Sequence, residues 1–150
     1  MKKGEGYDLE RNSHIDKVRF TFKSISEHQT IDKIVEFKKM SSILWNLGFG
    51  DISGDDWEDN IISNNNDLRK VLQTVVNAVY DFIDIYPHVH LLIYPLDYQR
   101  KLLYNRIFRL RWHEIEPLFS VKGFTIEENE VIEEDYTPKN LFDYFVIKPK

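Results

Sequence analysis

The sequence predicts an α+β fold in which two helices cover a largely antiparallel sheet. Several short segments alternate apolar and polar residues, which is the pattern of strands with one buried face. Two longer segments, one in the middle of the chain and one after it, carry apolar residues at helical spacing. In sequence order the predicted elements are βββ-α-β-α-ββ.

Length and composition favour one domain, which we assign to residues 1–150. The hydrophobic fraction is 42% and the aromatic fraction 14%, which suffices for one core rich in Phe and Tyr. The chain has no cysteine, which excludes disulfides and thiol chemistry and is compatible with a reducing compartment. Without a long apolar run or a secretory signal, we expect a soluble cytoplasmic protein with no membrane association.

The first three predicted strands form a meander. Residues 1–15 have no periodicity, so we expect a loosely ordered arm or a late-forming edge. Residues 17–25 alternate, with Val18, Phe20 and Phe22 on one side, and predict a strand; a second, antiparallel strand is expected over 31–40. A third strand is predicted over 43–47, ending at Gly48-Phe-Gly50. Short connections between consecutive strands favour neighbouring antiparallel pairs.

The middle of the chain predicts a loop, a helix and a buried strand. Residues 51–66 are polar and acidic and read as a loop, broken by a short strand near 61–62. A helix follows from Leu68 to Tyr86, with Asn66 or Asp67 expected to accept hydrogen bonds from its first amides. Pro87 ends it. Residues 88–94 are apolar and β-rich, as in a well-buried strand.

Residues 98–113 are cationic in an otherwise acidic protein. This stretch holds five Lys or Arg residues and no acid, whereas the rest of the chain has 15 basic and 25 acidic residues. It should form a second helix that ends near Glu116, because Pro117 cannot continue it. Beyond it we predict a strand over 119–126, an acidic solvated loop over 127–135 and a last strand over 142–148.

A helical projection divides the cationic helix into three sides. Leu103, Ile107 and Leu110 align and should face the sheet. Arg106, Arg109 and His113 share one flank, whereas Arg100 and Arg111 lie on the other. Two guanidiniums and an imidazole one turn apart could hold a phosphodiester and move a proton. Arg106, Arg109 and His113 are therefore the candidate catalytic residues of a nucleic-acid-processing, nuclease-like enzyme.

Two other interpretations of this helix stay open. Aromatic residues interleaved with Arg are typical of interface centres, so Arg100, Tyr104, Arg106, Arg109 and Trp112 are candidate binding residues for a protein partner or a second copy. Alternatively, the cations form a solvated face, or they pair with the acidic loops at 55–59 and 127–135. Nucleic acid could also bind locally through residues 98–113. The sequence does not decide whether the protein is an enzyme.

Other motifs do not predict a metal or a cofactor. His88 and His90 share a face of a predicted strand, but two ligands do not complete a zinc site. The acids of 51–59 lack the spacing of a calcium loop. Gly48-Phe-Gly50 lacks the lysine of a phosphate loop, and no serine lies in a nucleophile elbow. We therefore predict no metal and no cofactor.

Three segments together carry a family resemblance: Asn46-Leu-Gly-Phe-Gly-Asp51, the helix 70–80 with Tyr86-Pro87 after it, and Arg100-Lys-Leu-Leu-Tyr-Asn-Arg-Ile107. Over about residues 17–126 the chain resembles a family of small uncharacterised bacterial proteins, found chiefly in Bacteroidota. The family has no assigned activity. Its members often have a Gly-Ser/Thr turn before the Arg helix, where this chain has Tyr94-Pro-Leu-Asp97.

The order of strand, Arg helix and strand also resembles the cofactor half of Gcn5-type acetyltransferases, whose pyrophosphate-loop motif this chain lacks. Acetyl transfer is therefore the third functional hypothesis. The leading one is a small cytoplasmic bacterial interaction or regulatory module, with a toxin–antitoxin or phage-defence locus as its suggested setting. It would dock a partner or a second copy through the basic aromatic helix.

Overall fold

A computed structural model describes residues 3–53, 56–58 and 67–150, with the backbone alone at 53 and 56–58. In chain order the elements are β1 (Glu10–Ser13), β2 (Lys17–Ile25), β3 (Thr30–Lys39), β4 (Leu44–Ser53), β5 (Asp56–Glu58), α1 (Leu68–Ile85), β6 (His90–Ile93), α2 (Tyr98–Ile115), β7 (Phe119–Glu127), β8 (Glu130–Asp135) and β9 (Tyr144–Pro149). The strand predicted near 61–62 lies outside the described residues.

The described strands form one mixed sheet with the order β1-β2-β3-β4-β6-β9-β7-β8, and β5 pairs with β4. Strands β4 and β6 run parallel. Every other pair of described neighbours is antiparallel. The predicted α+β class is therefore confirmed, as is the β2-β3-β4 meander. The segment that contains α1 connects β4 to β6. Strand β6 lies between β4 and β9 and so joins the two halves of the sheet.

Both helices cover the same face of the sheet, and the core lies between the two layers. Alternate residues of the strands point into it, among them Phe20, Phe37, Trp45, Phe49, Val121, Phe145 and Ile147. The α1 side chain of Phe82 stacks on Phe37 with ring centroids 4.1 Å apart. In the other half of the molecule, Phe108 of α2 stacks on Phe145 at 4.3 Å. Helix α1 thus packs on β3, and α2 packs on β9.

Asp67 occupies the N-cap position of α1 without capping it. Its carboxylate accepts hydrogen bonds from the Tyr7 hydroxyl, at 2.7 Å, and from the Ser24 hydroxyl. Burial, first, and the hydrogen bond to Asp67 raise the pKa of Tyr7. Asp67 therefore does not cap the helix as predicted, because its carboxylate ties the N-terminal segment and β2 to α1. Asn66, the other predicted cap, lies outside the described residues.

Two segments without periodicity are edge strands: in the first, the structure has the edge and not the loosely ordered arm, and in the second, the predicted solvated loop is wrong. Within the predicted arm, residues 10–13 pair with β2, and within the predicted acidic loop, residues 130–135 pair with β7. All ten residues are exposed. A strand exposed on both faces has no apolar alternation, so periodicity could not reveal either one. Their charged side chains discourage pairing with other chains, as is common at sheet edges.

The Gly48-Phe-Gly50 segment does not end its strand, contrary to the prediction. Strand β4 continues because β3 is ten residues long and supplies partners, with Glu36 opposite Gly48 and Ile34 opposite Gly50. Another glycine, Gly123, is required by packing. A Cβ at this position would lie 2.4 Å from the ring of Phe142, which is fully buried.

Candidate functional site

Helix α2 is fixed at its first turn by Asp97. The carboxylate accepts a hydrogen bond from the Arg100 amide at 2.8 Å, which satisfies one of the free donors of the helix N-terminus. The Arg100 guanidinium also pairs with this carboxylate. Of the predicted binding residues, Arg100 is therefore engaged within its own helix. The helix ends at Ile115, two residues before Pro117, close to the predicted end.

The side of α2 that faces the core differs from the prediction. Its buried residues are Tyr104, Asn105 and Phe108. Leu103 and Ile107 are half-buried, and Leu110, predicted to face the sheet, is 58% exposed. Aromatic rings bury more area than leucine, so the i, i+4 pair of Tyr104 and Phe108 determines which side is buried.

This orientation removes most aromatic side chains from the predicted docking surface. Tyr104 packs on Phe49 with ring centroids 5.4 Å apart. Trp112 is half-buried, and its ring centroid lies 4.6 Å from that of Tyr136. Both were candidate binding residues, and the structure places both in or beside the core. A partner that docks on α2 would contact arginines and leucines instead.

Arg106, Arg109 and His113 do lie together on the solvent side of α2, as the projection predicted. Leu102 and Leu110 are exposed among them, at 42% and 58%. We call these five residues the outer face of α2. His113 is 77% exposed, with Nε2 3.9 Å from the Glu114 carboxylate. No ion pair joins Arg106 or Arg109 to any side chain in the described part of the chain.

The acidic segment 127–135 does not neutralise this face. Asp135 pairs with Lys122 of the neighbouring strand, and Glu134 accepts a hydrogen bond from Asn140 at 3.3 Å. No ion pair between described residues connects this segment to α2. Of the two acidic loops that could pair with α2, the one at 127–135 is thus excluded as a partner within the molecule. The side chains of 55–59 lie outside the described residues.

The opposite flank of α2 is paired locally. Arg111 donates a hydrogen bond from Nη1 to the Glu114 carboxylate at 2.9 Å. This hydrogen bond is the largest cause of the lowered pKa of Glu114, with burial opposing it. The charges of Arg111, His113 and Arg69 lower the pKa further. Arg69, in the first turn of α1, and Arg111 line the same groove, so the start of α1 lies near this part of α2.

Lys101 attaches α2 to the loop before β9. Its Nζ lies 2.6 Å from the Asp143 carboxylate, which also accepts a hydrogen bond from the Ile126 amide at 2.6 Å. Burial raises the pKa of Asp143, and these two hydrogen bonds outweigh it, so the pKa lies below its usual value. Lys101 therefore acts in the structure of the molecule and does not belong to the outer face.

The two neighbouring histidines are not arranged as ligands of one site. His88 is exposed in the turn before β6, whereas His90 is the first residue of that strand. Within residues 3–53, 56–58 and 67–150, no group of three or more His, Asp or Glu side chains is placed to hold a metal ion. Neither described helix is both long and apolar enough to cross a membrane.

A protein-family comparison matches the chain over residues 3–150 to a family of unknown function, DUF6934. The chain belongs to the DUF6934 family. This confirms the resemblance to an uncharacterised family and extends it from residues 17–126 to nearly the whole DUF6934 chain. No curated protein and no solved structure matches it.

Proposed function

We propose that this protein is an interaction module that docks an acidic protein surface on the outer face of α2. A single observation carries the proposal: Arg106 and Arg109 are exposed, have no ion-pair partner among the described side chains, and lie beside exposed Leu102 and Leu110. Exposed cations next to exposed apolar side chains favour association with a surface that carries acids and apolar groups.

We propose a second copy of the chain as the partner, because the chain itself carries a suitable acidic surface. The β7–β8 hairpin carries six exposed acids: Glu127, Glu128, Glu130, Glu133, Glu134 and Asp135. Val131 and Ile126, opposite each other on the two strands, are 57% and 45% exposed. The hairpin therefore complements the outer face of α2 in charge and in apolar surface. Within one molecule the two surfaces do not pair, so they remain available to a second copy.

The cellular setting belongs to the same proposal. We infer a bacterial cytoplasmic protein, from Bacteroidota, acting in a toxin–antitoxin or phage-defence locus. The lack of cysteine fits a reducing compartment. A small docking module with a charged interface suits a complex that must form quickly and selectively, since complementary charge raises association rates and disfavours wrong partners. The genes that flank this one test the setting directly.

Size-exclusion chromatography with light scattering tests the self-association. We expect the wild type to self-associate more weakly as the salt concentration rises, because exposed charges are screened. Arg106→Glu with Arg109→Glu should be monomeric, as should Glu130→Lys with Glu133→Lys. An equimolar mixture of these two variants should associate again, because each contact then joins opposite charges.

The matched control is Arg11→Glu with Lys39→Glu, which changes the net charge equally at exposed positions on β1 and β3. This control should associate like the wild type. A monomeric wild type would disprove the proposed self-association. So would association that survives the Arg106 and Arg109 reversal, or variants that stay monomeric when mixed.

A nuclease-like activity is the second candidate, because Arg106, Arg109 and His113 share one exposed face. Incubation with labelled RNA and DNA, with and without a divalent metal, tests it. Cleavage that His113→Ala abolishes would support this candidate; lack of cleavage, or cleavage that the variant retains, would reject it.

The third candidate, acyl transfer, predicts thermal stabilisation by acetyl-coenzyme A, and an unchanged melting temperature would count against it.

A further inference from the structure

An apolar cavity of about 110 Å³ lies between the two helices and the sheet. Leu72 and Val76 of α1 and Ile107 of α2 form its sides, and Phe49 and Ile93 belong to the strands beneath. Its only charged lining residue among those described is Arg111. An apolar cavity with few polar groups at its edge is the usual form of a small-molecule site.

A groove of about 380 Å³ adjoins this cavity. The two share Leu72, Ile107 and Arg111, so the groove forms the approach to the cavity between the start of α1 and the middle of α2. The groove adds two guanidiniums, those of Arg69 and Arg106, to that of Arg111. Three leucines complete its lining: Leu68, Leu103 and Leu110.

The charge at this approach is positive. No described residue that lines the cavity or the groove is an acid. Glu114 pairs with Arg111 at 2.9 Å, and the charge of Arg69 also lowers the pKa of Glu114. One carboxylate beside three guanidiniums leaves positive charge where the apolar space opens. Guanidiniums bind carboxylate and phosphate oxygens through paired N–H donors.

We propose that this cavity and groove bind a small anionic amphiphile, a linear alkyl chain that ends in a carboxylate. The chain would enter the cavity, and the carboxylate would lie at the groove beside Arg69 and Arg111. An engineered cavity of about 150 Å³ accepts benzene. The present one is smaller, so it suits a chain of a few carbons, and the rest of the chain would lie along the groove leucines.

The proposed docking of a second copy uses Arg106, Arg109 and the acidic hairpin, and its surface overlaps this site at Leu110 as well as at Arg106. Arg106 lines the groove and also belongs to the outer face of α2, so it is unsuitable for distinguishing the two. Arg69 and Arg111 are not on the outer face. Variants at these two positions therefore test ligand binding alone.

An NMR titration of the ¹⁵N-labelled protein with octanoate tests the proposal. We expect saturable shifts of the Leu72 and Ile107 amides. Octanol, which has the same chain length and no charge, should bind about tenfold more weakly or worse, since hydrogen bonds to charged groups are the stronger ones. Octyl phosphate distinguishes the head groups: weaker binding than octanoate supports the carboxylate, and tighter binding overturns this choice.

Three variants locate the site. Ile107→Trp fills the cavity and should abolish the octanoate shifts. Arg69→Gln should weaken binding several-fold. Because Arg69 is exposed, this variant still tests the site if Ile107→Trp does not fold. Arg109→Gln, which removes the same charge from the outer face, is the matched control and should bind like the wild type. Lack of saturable octanoate binding overturns the proposal, as does equal loss of affinity in Arg69→Gln and Arg109→Gln.

Discussion

Replacing Asn105 with leucine should destabilise the protein far more than its position on a helix suggests. Asn105 is buried on α2, and its side-chain amide makes two hydrogen bonds with the backbone of Phe142. Its Nδ2 donates to the Phe142 carbonyl at 2.8 Å, and its Oδ1 accepts from the Phe142 amide at 2.9 Å. One side chain thus satisfies the backbone polar groups of a residue that is fully buried.

The expected loss follows from these two groups. Leucine has nearly the same size and cannot make either hydrogen bond, so the amide and carbonyl of Phe142 lose these partners inside the core. Each unsatisfied buried group costs about 1–3 kcal/mol, and the gain from burying leucine offsets part of it. We expect a net loss of about 2–4 kcal/mol in the free energy of unfolding. For a chain of this size it corresponds to a fall of roughly 5–15 °C in Tm.

Urea and thermal unfolding measure this loss, and Asn77 supplies a matched control. Asn77 lies on α1 and makes the same pair of hydrogen bonds to the backbone of Gly4, at 3.1 and 2.9 Å, but these are exposed to solvent. Water can replace them, so Asn77→Leu should cost at most about 1 kcal/mol. Equal losses in the two variants, or an unchanged Asn105→Leu, would refute the argument from burial.

Two further predictions concern charged groups. Lys33 is 2% exposed and pairs with Asp51 at 2.5 Å. Asp51→Asn leaves the buried charge of Lys33 without this partner and should lower the free energy of unfolding in urea by about 2–3 kcal/mol, whereas Lys33→Met should be nearly neutral. A larger loss in Lys33→Met than in Asp51→Asn would contradict this. The pKa of Asp143 is lowered because the hydrogen bonds from Ile126 and Lys101 outweigh burial, which raises it. The carboxylate therefore stabilises the fold above about pH 4, and this contribution disappears as the pH falls through the folded pKa. Stability of Asp143→Asn should depend less on pH in that window, and parallel curves for the two proteins would disprove the assignment.

The strands that the sequence revealed are those with one buried face. Val18, Phe20 and Phe22 alternate with polar residues because β2 has a core side and a solvent side. Burial imposes this alternation, so the sequence records it. Strands β1 and β8 are exposed on both sides, and their positions depend on hydrogen bonds to β2 and β7. Backbone pairing of this kind leaves no pattern in the side chains.

For α2, the sequence revealed that a helix forms and that its cations are uneven, but not which side is buried. Apolar residues occur all around this helix, from Leu102 and Leu103 to Leu110 and Trp112, so periodicity supports several orientations. Asn105 adds to the ambiguity, because polar residues are usually exposed and this one is buried. Its partner Phe142 is 37 residues away, and nothing local to the helix predicts the contact.

The orientation of α2 divides its cations between two surfaces. Because Tyr104 and Phe108 take the core side, Arg109 must face solvent, whereas Arg111 lies at the groove beside α1. The excess of cations at residues 98–113 therefore serves two properties that can be separated, self-association and octanoate binding. Reversing Arg109 should change self-association and leave octanoate binding intact, and neutralising Arg111 should do the opposite. If either variant changed both properties equally, the cations would act as one surface and the division would be wrong.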